Sequence, residues 1–147
     1  MAIRRVTPKE AADLVAEGWM YVDVRTIPEF DAEHPHGAYN VPLLQQGPAG
    51  RTANGDFIEV MEGAFGHGAR LVLACAGGNR SRRAAELLAE AGFAELVDMK
   101  AGFAGETDSM GRLVTPGWKA AGLPTAAHAE PGRRYEDLLA KARGGAR

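Results

Sequence analysis

The chain has 147 residues, of which 46% are hydrophobic, and a formal net charge of −2. This size and composition suit one globular domain with a buried core and argue against extensive disorder. The near-neutral charge gives no electrostatic reason to expect a nucleic acid partner, and no apolar run approaches the roughly 18 residues that a membrane span requires. We therefore expect partners that are neither nucleic acids nor membranes.

The use of cysteine and histidine bears on location and cofactors. Cys75 is the single cysteine, which excludes an internal disulfide and a multi-cysteine metal site. The N-terminal sequence has no apolar core of the kind found in signal peptides. His34 and His36 lie close together, but two histidines without a third ligand are better explained by local hydrogen bonds. We expect a cytoplasmic protein that binds no metal and no other cofactor.

The first third of the chain alternates helix and strand patterns. Residues Thr7 to Glu10 combine a hydroxyl cap, a proline at the first helical position and a glutamate three residues after the cap, which predicts a helix ending at Gly18. Tyr21 to Val24 predicts a buried strand that ends at the polar Arg25. Two short elements follow, a helical turn at 28–30 and a turn with a short strand at 37–42.

The rest of the chain continues this alternation. The weakly patterned stretch 44–68 predicts only a short helix at 57–62, and Arg70 to Ala74 is the clearest central strand. Apolar residues at helical spacing over 84–91 predict a helix, and 96–99 reads as the last strand. Alternating helices and buried strands predict an α/β fold with a largely parallel sheet.

The most informative segment joins the central strand to the following helix at Cys75. The turn and the first helical residues after this cysteine are Ala76, Gly77, Gly78, Asn79, Arg80 and Ser81. Ligands of open parallel sheets bind beyond the carboxyl ends of the strands, and Cys75 occupies such an end.

The residue types around Cys75 favour an anionic sulfur. Glycines allow consecutive backbone N–H groups to face one point, and the positive end of the following helix is directed at that point. Arg80 is expected to add formal charge. Together these groups should stabilise a thiolate, and equally a persulfide anion, so that Cys75 acts as an activated nucleophile with no separate general base.

Several motifs along the chain, taken together, point to one protein family. CAGGNRS at 75–81 has the pattern Cys, two residues, Gly, one residue, Arg, then Ser or Thr, and it resembles the active-site loop of rhodanese-like proteins. Asp23-Val24-Arg25, Glu29-Phe30 and the stretch from His34 through GAYNVP resemble the first signature of the family. AGFAG at 101–105 and GWKAAGLPT at 117–125 resemble its two later motifs. The resemblance covers about residues 3–125.

This resemblance implies a fold and an activity. The fold is a rhodanese-like central parallel sheet of about five strands, flanked by helices on both faces. The activity is sulfur transfer from a small donor (thiosulfate, polysulfide or a persulfide) to Cys75, and then to a thiol or cyanide acceptor, with a persulfidated protein as a further possible partner. Because Ala76 and Gly77 carry no charge, strong selectivity for thiosulfate is not expected.

Two alternatives remain open from sequence. One is a non-catalytic binding or sensing module, although inactive members usually lack the cysteine. The other is an arsenate reductase or phosphatase that uses the same thiolate. Four residues separate Cys75 from Arg80, as in the sulfurtransferases, whereas the related dual-specificity phosphatases have five. This length disfavours phosphate chemistry.

Supporting residues and chain boundaries complete the prediction. Asp23 and Arg25 either support the active loop or form a structural ion pair at a strand end, and we favour the ion pair. Residues 106–116 form an insert that is either a lid or partner-docking loop near the mouth of the active site or a tolerated surface insertion. We favour the surface insertion, with Leu113 and Val114 tucked into the domain edge. We assign residues 1–125 to the rhodanese-like domain and 126–147 to an extension with one amphipathic helix and a frayed end.

Overall fold

A computed structural model describes residues 3–144. In chain order its strands are β1 (Arg4–Val6), β2 (Met20–Asp23), β3 (His34–Pro35), β4 (Tyr39–Asn40), β5 (Leu44–Gly47), β6 (Gly50–Ala53), β7 (Arg70–Ala74), β8 (Glu95–Met99), β9 (Glu106–Thr107), β10 (Leu113–Thr115) and β11 (Thr125–Ala126). Its helices are α1 (Pro8–Ala16), α2 (Ile27–Ala32), α3 (Phe57–Ala64), α4 (Asn79–Glu90) and α5 (Tyr135–Ala142).

Five of the strands form one parallel sheet in the order β1-β8-β7-β2-β4. The central strand β7 pairs with β2 and β8, so that Leu73 lies opposite Val22 on one side and Asp98 on the other. Residues Leu71 to Ala74 are at most 1% exposed, as expected for an apolar run between two parallel neighbours. The predicted α/β fold with a central parallel sheet of about five strands is confirmed.

Two hydrophobic clusters pack against this sheet. One contains Ala11 of α1 and Phe30 of α2, together with Phe103 and Trp118. The other is formed with the buried residues of α3, α4 and α5, and it includes Cys75. No helix within residues 3–144 is long and apolar enough to cross a bilayer.

The C-terminal helix α5 packs on α3. Gly63 permits this close approach, because a Cβ atom at that position would lie 2.6 Å from the Cα of Ala142. Tyr135 and Leu138 of α5 are buried. The boundary at residue 125 falls within β11, which pairs with β3; the division of the chain there stays a prediction. Residues 145–147 of the predicted frayed end lie outside the described part.

Some elements were not predicted because they lack a buried periodic face. The strand β1 is short and has two exposed arginines, Arg4 and Arg5, at the sheet edge. The hairpin of β5 and β6 has no buried residue in either strand. Polar strands of this kind show no apolar alternation, which is the signal that sequence reasoning uses for strands.

Candidate active site

The cysteine of the predicted loop lies at the carboxyl end of the central strand. β7 ends at Ala74, Cys75 follows, and α4 begins at Asn79. The Cys75 side chain is only 2% exposed. Its sulfur nevertheless accepts hydrogen bonds from the backbone N–H of Gly78 at 3.1 Å and from that of Ser81 at 3.3 Å. One amide of the turn and one of the first turn of α4 therefore face the sulfur, in an arrangement that favours a negative charge.

The other residues of the loop define its shape. Gly78 has a φ of 104°, in the left-handed region that glycine adopts at little cost. Ala76 is half-buried, while Gly77 and Asn79 are exposed. The twelve-residue helix α4 directs its N-terminal end at the sulfur, and the partial positive charge of that end adds to the effect of the two amides.

The segment 101–105 forms the support behind the loop. Phe103 donates its backbone N–H to the Cys75 carbonyl at 2.7 Å, and Ala104 donates to the Ala76 carbonyl at 2.9 Å. Gly102 lies directly against these carbonyl groups, with no room for a Cβ atom. The two bonds occupy loop carbonyls and leave the loop amides available to the sulfur.

The side chain of Arg80 does not act as the sequence predicts. Instead of placing free positive charge beside the sulfur, its guanidinium binds both carboxylate oxygens of Glu29, at 2.7 and 3.0 Å. Arg51 approaches the same carboxylate at 3.4 Å. Glu29 is presented to Arg80 because Thr26 fixes it at the start of α2. The charge of Arg80 is therefore paired, and the direct hydrogen bonds to the sulfur come from Gly78 and Ser81.

The pairing with Arg80 changes the ionisation of Glu29. Partial burial opposes the charged form, but the hydrogen bonds from Arg80 and Thr26 outweigh it and lower the pKa of Glu29 to about 2 from the ordinary 4.5. A carboxyl whose pKa falls on folding stabilises the fold above its unfolded-state pKa. That contribution is lost as the pH falls from 4.5 towards about 2.

Glu29→Gln should therefore lower the free energy of unfolding by about 1–3 kcal/mol at pH 7, because the bidentate pair with Arg80 is lost in a partly screened site. Urea denaturation at pH 7 and near pH 3 measures the difference between wild type and variant, which should shrink at the lower pH. Glu86→Gln is the control, since Glu86 contacts the exposed Arg83 at 3.6 Å and should contribute little. A difference of equal size at both pH values would contradict this explanation.

Asp23 and Arg25 form a buried ion pair at the end of β2. The Arg25 guanidinium donates to Asp23 at 2.8 to 3.1 Å and to the carbonyl oxygen of Glu33 at 2.7 Å. The same guanidinium lies 4.5 Å from the ring centre of Phe103. This geometry connects β2 with the segment that supports the active loop. It accommodates both interpretations of the sequence, ion pair and loop support.

Asp98, Glu29 and Gly102, to which the sequence assigned no role, also belong to the site. Ser81 donates its hydroxyl to Asp98 at 2.6 Å, and Asp98 is 0% exposed within β8. An aspartate between the apolar residues Val97 and Met99 was the available signal, because such a residue is rarely buried without a partner. Glu29 and Gly102 lie within recognised motifs, but only their contacts assign them a position in the site.

The insert 106–116 is a hairpin of β9 and β10. Leu113 and Val114 do not tuck into the domain edge as predicted, since they are 50% and 64% exposed, and Met110 is 77% exposed. In its turn the Asp108 carboxylate accepts from the backbone N–H groups of Met110 and Arg112, and the strand pairing shifts register between Leu113 and Thr115. The apolar side chains of the insert therefore lie mostly in solvent.

The two histidines that follow α2 take separate partners. His34 Nδ1 lies 2.7 Å from the carbonyl oxygen of Phe30, and His36 lies 3.6 Å from Glu130. Within residues 3–144, no group of three or more histidine, cysteine, aspartate or glutamate side chains is arranged to hold a metal ion.

The fold and the site define a class: an α/β domain that presents a cysteine in an anion-binding loop at the end of its central parallel strand. The family model of the rhodanese-like domain matches residues 7–107. The chain belongs to the rhodanese-like domain family, and the resemblance seen in the sequence motifs is confirmed.

Comparison with known proteins gives relatives of two kinds. Thiosulfate sulfurtransferase 16, chloroplastic, of Arabidopsis thaliana is 36% identical over 117 residues, which are 80% of this chain and 88% of that protein. Rhodanese-like domain-containing protein 15, chloroplastic, of the same plant is 31% identical over 104 residues; these are 71% of this chain and 57% of that protein.

A solved structure shares the fold. The crystal structure of Rv0390 from M. tuberculosis superposes with a TM-score of 0.73 at 26% identity, covering 87% of this chain and all of that one. The family thus includes proteins named as sulfurtransferases. The cytoplasmic location stays a prediction, since both of the plant relatives named above are described as chloroplastic.

Proposed function

We propose that this protein is a sulfurtransferase that carries a sulfane sulfur on Cys75 as a persulfide. The observation on which the proposal rests is the pair of backbone amides, of Gly78 and Ser81, that donate to the Cys75 sulfur at the start of α4. These donors can stabilise a thiolate that attacks the donor and a persulfide anion that results from it. The family relationship to a protein named thiosulfate sulfurtransferase supports the same activity.

The surroundings of Cys75 favour particular donors. Because Cys75 is only 2% exposed, a donor has to present a terminal sulfur atom and not a bulky group. Arg80 is paired with Glu29, Arg51 also approaches that carboxylate at 3.4 Å, and Ala76 and Gly77 are uncharged. Thiosulfate, inorganic polysulfide and glutathione persulfide are all anions with a terminal sulfur, so we expect no strong selectivity for thiosulfate among them.

The test is a donor screen with cyanide as acceptor, read out as thiocyanate. Wild type should form thiocyanate with at least one of thiosulfate, polysulfide and glutathione persulfide, and Cys75→Ala should fall to the uncatalysed rate because the covalent carrier is missing. Thr107→Ala, in the exposed insert, is a matched control that should keep the wild-type rate.

Other outcomes of the same screen would favour the alternatives. No transfer with any donor, together with capture of a partner protein that survives Cys75→Ala, would favour a non-catalytic module. Robust turnover of an aryl phosphate or of arsenate would favour phosphatase or arsenate reductase chemistry. Either result would contradict the proposal.

A further inference from the structure

A chain of polar contacts, buried from Cys75 as far as Asp98, leads to Arg5 of the edge strand β1. Cys75 Sγ lies 3.6 Å from Ser81 Oγ, Ser81 Oγ donates to Asp98 Oδ1 at 2.6 Å, and Arg5 Nε donates to Asp98 Oδ2 at 3.0 Å. Ser81 and Asp98 are both 0% exposed. The nucleophile is thus connected through one hydroxyl to a carboxyl group that bulk water does not reach.

The distances fix the direction of the hydrogen bonds. A serine hydroxyl has a single proton and two lone pairs. The contact of Ser81 Oγ with Asp98, at 2.6 Å, is much shorter than its contact with the carbonyl oxygen of Gly78, at 3.4 Å. The proton therefore points at the carboxylate, and a lone pair of Ser81 remains to accept the thiol proton of Cys75.

The surroundings of Asp98 favour the protonated form of its carboxyl group. Burial raises the pKa of the Asp98 carboxyl above its ordinary value, and the hydrogen bond from Ser81 and the charge of Arg5 offset this only in part. The ionisable side chains facing Asp98 or Cys75 are Arg5 from β1, Tyr21 from β2, and Arg80 and Arg82 from α4. Of these, Arg80 is paired with Glu29, a carboxylate that Arg51 also approaches at 3.4 Å.

We propose that Asp98 and Cys75 share one proton through Ser81, so that this part of the site carries a single negative charge throughout the reaction. The charge lies on Asp98 while Cys75 is a thiol, and on the sulfur once Cys75 is a thiolate or persulfide. Asp98 is then a positioning residue that acts on the nucleophile through Ser81. Its part in sulfur transfer rests on the proposed function.

Each step conserves protons and electrons. The S–H bond of Cys75 breaks as a new O–H bond forms on Ser81, and the former Ser81 proton forms an O–H bond on Asp98. The thiolate attacks the terminal sulfur of the donor, an S–S bond forms, and the leaving group departs with the electron pair of its broken bond. When an acceptor removes the outer sulfur, Cys75 leaves as thiolate and recovers the proton through Ser81.

The test measures the rate at which iodoacetamide alkylates Cys75 as a function of pH, without any sulfur donor. In wild type we expect a rise in two steps separated by a plateau, because the pair loses its first proton readily and its second only against an existing negative charge. Asp98→Asn should give a single step at lower pH than the second wild-type step, with alkylation on the order of tenfold faster at pH 7.

A second variant keeps the proposal testable if Asp98→Asn does not fold. Arg5→Gln leaves the connection from Cys75 to Asp98 in place but removes the cation beside the carboxylate, so the first step should move to higher pH. A single-step wild-type profile would overturn the proposal, as would an Asp98→Asn profile that keeps the plateau or an Arg5→Gln profile that matches wild type.

The result is independent of the sulfurtransferase assignment. A two-step profile in a protein that transfers no sulfur would support the shared proton and count against the proposed function. A one-step profile in a protein that forms thiocyanate would overturn the shared proton and leave the function in place.

Discussion

Replacing Gly102 with alanine should destabilise the protein by about 3–5 kcal/mol and abolish sulfur transfer. The backbone atoms around Gly102 cannot shift at low energetic cost to make room for the new Cβ atom. The added Cβ would overlap the carbonyl oxygen of Cys75 and lie 2.5 Å from that of Ala76. Gly102 also has a φ of 57°, a left-handed conformation that costs other residues roughly 1–2 kcal/mol. Chemical denaturation and thiocyanate formation measure the two effects.

The control for Gly102→Ala separates backbone strain from steric overlap. Gly122 has a φ of 79°, and a Cβ atom there would meet nothing within 4 Å. Gly122→Ala should therefore cost only about 1–2 kcal/mol, the strain alone, and leave the activity unchanged. Equal losses of stability in the two variants would show that the close packing behind the active loop is not what Gly102 provides.

Asp23→Ala should cost about 3–5 kcal/mol, because it leaves the guanidinium of Arg25 buried without its counter-charge. Asp23 is 1% exposed and accepts from three groups of Arg25: its backbone N–H, Nε and Nη2. Urea denaturation of the single variant measures the loss. We also expect lower sulfurtransferase activity, since Arg25 lies over the ring of Phe103, which in turn holds the active loop.

The double variant Asp23→Ala/Arg25→Met tests the cause of that loss. Removing both charges leaves apolar groups in place of an isolated cation, so the double variant should be more stable than Asp23→Ala alone. If the two substitutions instead destabilise the protein additively, the cost would come from lost packing and not from an unpaired buried charge.

The central strand and the cysteine loop were predictable because their signals are local. Arg70 to Ala74 is an apolar run of strand length, and the small residues after Cys75 permit few conformations except a tight turn into a helix. The family motifs fixed the order of the remaining elements. Strand pairing and the presence of helices on the sheet then follow from general rules for parallel sheets.

The contacts that complete the site join residues far apart in the chain, and no local pattern encodes them. Arg80 and Glu29 are separated by 51 positions, and Arg5 and Asp98 by 93. From the sequence we therefore expect Arg80 to place its positive charge beside the Cys75 sulfur, because no local pattern indicates that Glu29 lies opposite Arg80. Asp98 received no role, because Arg5 of β1 and Ser81 of α4 contact it only in the folded protein.

The most direct measurement is the intact mass of the protein after incubation with a sulfur donor and removal of the excess. The central claim, that two backbone amides hold an anionic sulfur chain on Cys75, predicts a gain of about 32 Da that maps to the peptide containing Cys75 and is reversed by cyanide. The variant Cys75→Ala should show no gain. Wild-type protein that stays unmodified with thiosulfate, polysulfide and glutathione persulfide, or that carries the added sulfur elsewhere, would contradict the claim.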